Sequence, residues 1–274
     1  MSLTRLTSIA VLTVLAVGPA RAERPFVPEQ SQTSQSDWCR DGDRYGRYER
    51  FCEVRPVTIA APATLDVETS NGSIAVTGSS RPDVSIEARV EAQGDTANEA
   101  KSLAKSVQIL TDGGRVRAEG PNSSSEHHSW WVSFRIQSPT KQNATINTSN
   151  GSVTLSGLDG TIRGETSNGS MHGTDLAGDV RLSTSNGSLQ LALSGTTWSG
   201  AGLEATTSNG SMRVDMPRDY SAHLSARTAN GSLNVNRPIT VTGRIGHDID
   251  TDLGKGGPTL RLRTGNGSLS IRDR

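Results

Sequence analysis

One pentapeptide constrains the fold of this chain more than any other feature. Thr-Ser-Asn-Gly-Ser stands at 69–73, 148–152, 166–170, 184–188 and 207–211, with variants Thr228-Ala229-Asn230-Gly231-Ser232 and Thr264-Gly265-Asn266-Gly267-Ser268. By subtraction, the steps between successive asparagines are 79, 18, 18, 23, 21 and 36 residues. The long steps read as multiples of a period of about 20 residues, the mark of a stacked repeat. Asp112-Gly113 and Asp248 fall where degenerate copies are expected. Apolar residues alternate around each copy: Val180 and Leu182 before Asn186-Gly187, then Leu189, Leu191 and Leu193 after it. The same holds for Val153 and Leu155, Met212, Val214 and Met216, Leu233 and Val235, and Leu269 and Ile271. A period of two describes strands with one buried face.

Two architectures fit such strands. Asn-Gly between alternating runs is a strong hairpin signal; Thr184 would then pair with Leu189 and Leu182 with Leu191, giving a meander. In the other, each Asn-Gly is a corner and the corners stack. A hairpin needs only the two central residues, whereas stacked corners also explain the recurring Thr and Ser. Like residues then lie about 4.8 Å apart, and the asparagines can bond along the stack as a ladder. The sequence therefore predicts an all-β chain, a parallel β-solenoid of about ten coils with one short flanking helix. Its corner ladder is Asn71, Asn150, Asn168, Asn186, Asn209, Asn230 and Asn266. With 32% hydrophobic and 4% aromatic residues, the interior is expected to be a narrow stack of aliphatic side chains.

The N-terminus reads as an export signal over residues 1–22. Arg5 precedes an apolar run from Leu6 to Val17, and Pro19 and Ala20-Arg21-Ala22 supply the break and a small-x-small cleavage site. The run is too short to span a membrane. Residues 23–37, rich in Pro, Gln, Ser and Thr, read as a disordered leader, and 38–274 as the repeat domain. Cys39 and Cys52, the two cysteines, read as one disulfide capping that domain. Their spacing and the lack of clustered histidines fit neither zinc nor Cys-x-x-Cys chemistry. Asp95 to Ser106 reads as the helix, with Asp95 as cap and Ala97, Ala100, Leu103, Ala104 and Val107 on one face.

Few residues suggest chemistry. His127, His128, Trp130 and Trp131 end a polar loop and form a possible contact site for a metal or a sugar; a crossover whose aromatics pack on the fold is the plainer reading. Asp248, Asp250 and Asp252 alternate on one strand face and could hold Ca²⁺, although a solvated strand accounts for them as well. No nucleophile elbow or phosphate-binding loop is present, and the carboxylates do not recur with the repeat. No catalytic residue, metal ligand or cofactor is assigned. With 28 basic and 28 acidic side chains the net charge is +0, which gives no electrostatic reason to bind nucleic acid.

The Thr-Ser-Asn-Gly-Ser strands, the Trp38-Cys39 to Phe51-Cys52-Glu53-Val54-Arg55 opening, the Ala97–Ala104 helix, Tyr220-Ser221-Ala222-His223-Leu224 and Gly256-Gly257-Pro258 carry a resemblance. Together they resemble the bacterial "putative adhesin" family of β-strand-repeat envelope proteins, a domain of unknown function, over about Trp38 to Arg272. Many members carry Asn-Gly-Gly at the corners, where this chain has Asn-Gly-Ser. The resemblance implies a β-solenoid and a non-catalytic envelope role. The expectation is thus an exported, periplasmic or secreted binding or scaffolding module. Its partner is an envelope protein or glycan, it has no membrane span, and it is a monomer. The alternatives are a polysaccharide-acting β-helix lyase or hydrolase, and a surface-structuring role for the Thr rows.

Overall fold

The computed structural model describes residues 38–39, 48–122, 128–236 and 246–274. The signal and leader expected over 1–37 lie outside the described residues, as does His127. The first seven strands are β1 (Glu49–Ala60), β2 (Thr64–Asn71), β3 (Ile74–Ser79), β4 (Asp83–Gly94), β5 (Gln108–Leu110), β6 (Arg115–Glu119) and β7 (Ser129–Pro139). Next come β8 (Asn143–Asn150), β9 (Val153–Ser156), β10 (Asp159–Asn168), β11 (Met171–Thr174), β12 (Ala177–Asn186) and β13 (Leu189–Ala192). The last are β14 (Gly202–Asn209), β15 (Met212–Met216), β16 (Ala222–Asn230), β17 (Leu233–Asn236), β18 (Asp248–Leu253), β19 (Thr259–Asn266) and β20 (Leu269–Asp273). The helix α1 (Ala97–Ser106) follows β4.

The strands form two ten-stranded sheets. The first runs β1-β4-β7-β3-β9-β11-β13-β15-β20-β17 and the second β18-β16-β19-β14-β12-β10-β8-β2-β6-β5. Each asparagine corner carries the chain from the second sheet into the first, as from β12 to β13. This excludes the hairpin. Thr184 lies beside Thr166 and Thr207 in parallel register, not beside Leu189. Inward residues of both sheets, among them Ile162, Val180, Leu203, Val153, Leu189 and Val214, make one buried apolar cluster. Burying each such side chain contributes roughly 1.5–3 kcal/mol.

The sheets are mixed, which corrects the expectation of a wholly parallel stack of about ten coils. Their middles are parallel and in register. At the margins β1, β4 and β7 run antiparallel, as do β5 with β6 and β16 with β18. Seven corners stack. Asp112-Gly113 instead forms a 3-10 turn between β5 and β6, and Asp248 opens β18. Asp112 lacks a Thr two residues before it, and Asp248 lacks both that Thr and the following Gly. Stacking order also departs from chain order: β19 enters between β14 and β16, so Asn266 lies between Asn209 and Asn230.

The helix is capped by Thr96 rather than Asp95. The Thr96 hydroxyl accepts from the Glu99 amide (3.2 Å), and the Glu99 carboxylate accepts from the Thr96 amide (3.0 Å). This reciprocal box satisfies two otherwise orphaned donors. Ala100 and Ala104 are buried. At the other end Arg55 of β1, paired with Glu53, donates to the Ala104 carbonyl (2.7 Å) and to that of Val107. A cation is well placed there by the helix dipole.

Candidate functional site

The corner column follows from the sizes of its residues. A Cβ built on Gly151 would lie 1.9 Å from the Gly72 carbonyl oxygen, and one on Gly169 2.0 Å from that of Gly151. Successive corners approach so closely that only glycine fits. The threonine two residues before each asparagine is buried. Its hydroxyl donates to a glycine carbonyl of the adjacent corner: Thr148 to Gly72 (3.0 Å), Thr166 to Gly151 (3.0 Å), Thr184 to Gly169 (2.9 Å) and Thr207 to Gly187 (2.8 Å). Thr264 bonds Gly210 (2.8 Å) and Thr228 bonds Gly267 (2.9 Å), while Thr69 bonds Val132 of β7 (3.0 Å). A covered carbonyl left without a donor would cost about 1–3 kcal/mol.

The asparagine amides form one chain on the exposed edge of this column. Asn150 donates to Asn71 (2.9 Å), Asn168 to Asn150 (2.9 Å), Asn186 to Asn168 (3.0 Å) and Asn209 to Asn186 (3.0 Å). Asn266 donates to Asn209 (2.8 Å) and Asn230 to Asn266 (2.9 Å). Every amide points the same way, so each bond polarises the next. Serine hydroxyls add contacts, such as Ser73 to the Ser152 amide (3.3 Å) and Ser232 to Ser268 (3.0 Å).

Beside the ladder, the outer face of the second sheet carries charge. Arg115 pairs with Asp66 (3.5 Å), Arg163 with Asp179 (3.2 Å), and Arg181 with Asp179 (3.7 Å) and Glu204 (4.0 Å). At one margin His223 is clasped by Asp252 (2.8 Å to Nδ1) and Asp250 (3.3 Å to Nε2). Two of the three alternating aspartates thus face a histidine across the antiparallel β16–β18 pair. The sequence pattern showed the carboxylates but not their partner.

The disulfide Cys39–Cys52 is formed, with Cα atoms 5.6 Å apart. Beside it the Arg135 guanidinium lies 4.1 Å from the centre of the Trp38 ring, and Arg89 donates to the Trp38 carbonyl (2.9 Å). Arg89 also pairs with Glu91 (2.7 Å), which accepts from the Trp131 indole (2.8 Å). Arg50 stacks over Trp131 at 5.2 Å. Trp130 donates to the Pro121 carbonyl (2.8 Å) and packs against the core. Both tryptophans, which lie in β7 and not in a loop, therefore have internal partners. Sequence reading missed this cluster because β1, β4 and β7 bring its members together from distant positions.

His128 lies 3.7 Å from Glu99, and with Asp95 the three offer ligand atoms within 4.8 Å of one another. The Glu99 carboxylate is already the acceptor of the helix cap. In the core, burial pushes the Tyr220 hydroxyl up to about 12.

No protein-family model matches the chain, and no curated protein matches it. Among solved structures, the chain is similar to a "putative cell adhesion protein" from Clostridium sporogenes, at 14% identity and a TM-score of 0.46 over 82% of this chain and 100% of that one. It is also similar to a "putative adhesin" from Bacteroides fragilis, at 13% identity and a TM-score of 0.39 over 82% and 97%. A "putative lipid binding protein" from Parabacteroides distasonis is similar at 13% identity and a TM-score of 0.27 over 80% and 96%.

Proposed function

We propose that this chain is an exported, non-catalytic binding or scaffolding module of the cell envelope, built as a β-solenoid with one asparagine corner per coil. The observation that carries the reading is the ladder: six amide bonds in one direction join seven exposed asparagines across seven strands. Its threonines and glycines lock the backbone beneath, so the polar surface is rigid before any partner arrives. A preorganised surface loses little entropy on binding. The disulfide supports an oxidising compartment, and no helix among the described residues is long and apolar enough to cross a membrane. In this reading residues 1–22 direct export, 23–37 are a leader, and the protein acts as a monomer in the periplasm or outside the cell. Its partner is an envelope protein or glycan.

The test has two parts. Fractionation should recover the mature form, beginning near Glu23, from the periplasm or medium. Immobilised protein should then retain a defined envelope protein or glycan, and a form lacking residues 122–129 should retain it too if the ladder face is responsible. Cytoplasmic protein with its first 22 residues intact, or no retained partner for either form, would overturn the reading.

A further inference from the structure

The two variant pentapeptides differ from the other five in the residue before the asparagine, Ala229 and Gly265 in place of serine. They differ again two residues further back. The position three before the asparagine holds Arg227 and Arg263 in the variants, but Glu68, Asn147, Glu165, Ser183 and Thr206 elsewhere. In sequence these variants are separated by β17 and β18. In the fold β19 lies directly beside β16, with Arg227 in register with Arg263.

Parallel neighbours lie about 4.8 Å apart, and like charges side by side on a sheet destabilise it. Arg261 adds a third guanidinium on the same face of β19, in register with Ser225 and with Glu204. All three arginines are exposed, and none has an ion pair among the described residues. Asp248 is the register neighbour of Arg227 on β18, yet the two do not form an ion pair. The other arginines on this face, Arg115, Arg117, Arg163 and Arg181, do have carboxylate partners. Between Arg227 and Arg263 and the interrupted serine column lies an open depression of about 570 Å³, also lined by Thr206, Ser208, Ala229 and Gly265.

We propose that this depression binds an oxyanion group of an anionic glycan, with Arg227 and Arg263 as a paired fork and Arg261 beside them. Guanidinium forks match sulfate, phosphate monoester and carboxylate oxygens in bidentate geometry. The missing serine side chains leave room for the group, and Thr206 and Ser208 offer hydroxyls to the sugar around it. The net charge of the whole chain is +0, so attraction here is local and not a property of the protein at large. The inference rests on the reading of the outer surface as a binding surface and names the ligand class for one part of it.

The experiment uses the full chain and calorimetry at fixed ionic strength. The probes are a heparin octasaccharide, a galacturonate oligomer, a phosphorylated mannan fragment and a single-stranded DNA oligomer. At least one glycan should bind, and which one does tells sulfate, carboxylate and phosphate apart. Arg227→Gln and Arg263→Gln should each weaken it by about tenfold, while Arg115→Gln changes it less than about twofold. Ala229→Glu, which supplies an internal carboxylate, should abolish binding. Without ligand at low salt, Arg263→Gln should melt no lower than the parent, because a like-charge contact is removed. Three results would overturn the proposal: no glycan binding, glycan binding unchanged in both arginine variants, or DNA binding as tight as the best glycan. A partner retained in the envelope assay equally by the parent and by Arg227→Gln/Arg263→Gln would sink this inference alone and leave the broader function standing.

Discussion

Substituting Gly187 by Ala tests the stacking of corners most directly. A Cβ on Gly187 would lie 2.0 Å from the Gly169 oxygen, 2.5 Å from its carbon and 3.1 Å from the Ser170 nitrogen. Comfortable carbon contacts begin near ~3.5 Å, so the two corners must part by ~1.5 Å. Four hydrogen bonds of 3.1 Å or less are among those that cross that gap. They run from the Gly169 amide to Asn186 (3.1 Å), the Met171 amide to Ser188 (2.9 Å), Thr184 to Gly169 (2.9 Å) and Asn186 to Asn168 (3.0 Å). At a net value of about 1 kcal/mol each, their loss costs about 4 kcal/mol. Alanine returns up to ~1 kcal/mol by restricting the unfolded chain. The expected net loss is therefore about 3 kcal/mol. Gly187 has no left-handed φ, so backbone strain does not contribute and the whole effect is steric. Gly246→Ala, with nothing within 4 Å of the added carbon, is the control and should stay within about 0.5 kcal/mol of the parent. Urea unfolding followed by circular dichroism gives both values. If Gly187→Ala matches Gly246→Ala with an unchanged m-value, the corners are not stacked as described.

Thr184→Val keeps the shape of the side chain but leaves the Gly169 carbonyl without its hydroxyl donor; we expect a loss of about 1–3 kcal/mol in the same assay, and no loss would show that water reaches that oxygen. Tyr220 carries an alkaline signature. Its hydroxyl keeps its proton up to about 12 in the folded protein against 10.0 when unfolded, so its contribution is intact below pH 10 and is lost as pH rises from there to about 12. That gap is worth on the order of 3 kcal/mol, and Tyr220→Phe should flatten this part of the stability profile; an unchanged slope would mean the hydroxyl is solvated. Replacing both Cys39 and Cys52 by Ser opens a link between residues 13 apart in sequence. The chain-entropy model puts the cost at roughly 3 kcal/mol, and equal midpoints for parent and variant would refute a stabilising cap.

The local code was plain in the linear chain. A buried threonine, a bonding asparagine and a glycine under close contact each have a size and a donor pattern that stacking alone requires together, so their joint recurrence located the corners. Alternation placed Leu189 and Leu191 inward for the same reason. Asp112-Gly113 and Asp248 show the limit of spacing without that full set: both fell near the period and neither stacks. The helix was visible from its apolar spacing, but its cap was misplaced by one residue. The reciprocal bond between Thr96 and Glu99 decides the cap, and Asp95 has no Glu or Gln three residues on.

Composition and periodicity by themselves determined an all-β chain with polar glycine corners, because side-chain size and hydrogen-bonding capacity are local properties. Which strands become neighbours was settled only by tertiary structure. The insertion of β19 between β14 and β16, the clasp of His223 by two aspartates, the Trp38–Arg135 stack and the Arg227–Arg263 pair all join residues far apart in the chain. Strand order in a sheet depends on the path of the whole backbone, and a side chain carries no record of the partner it will meet.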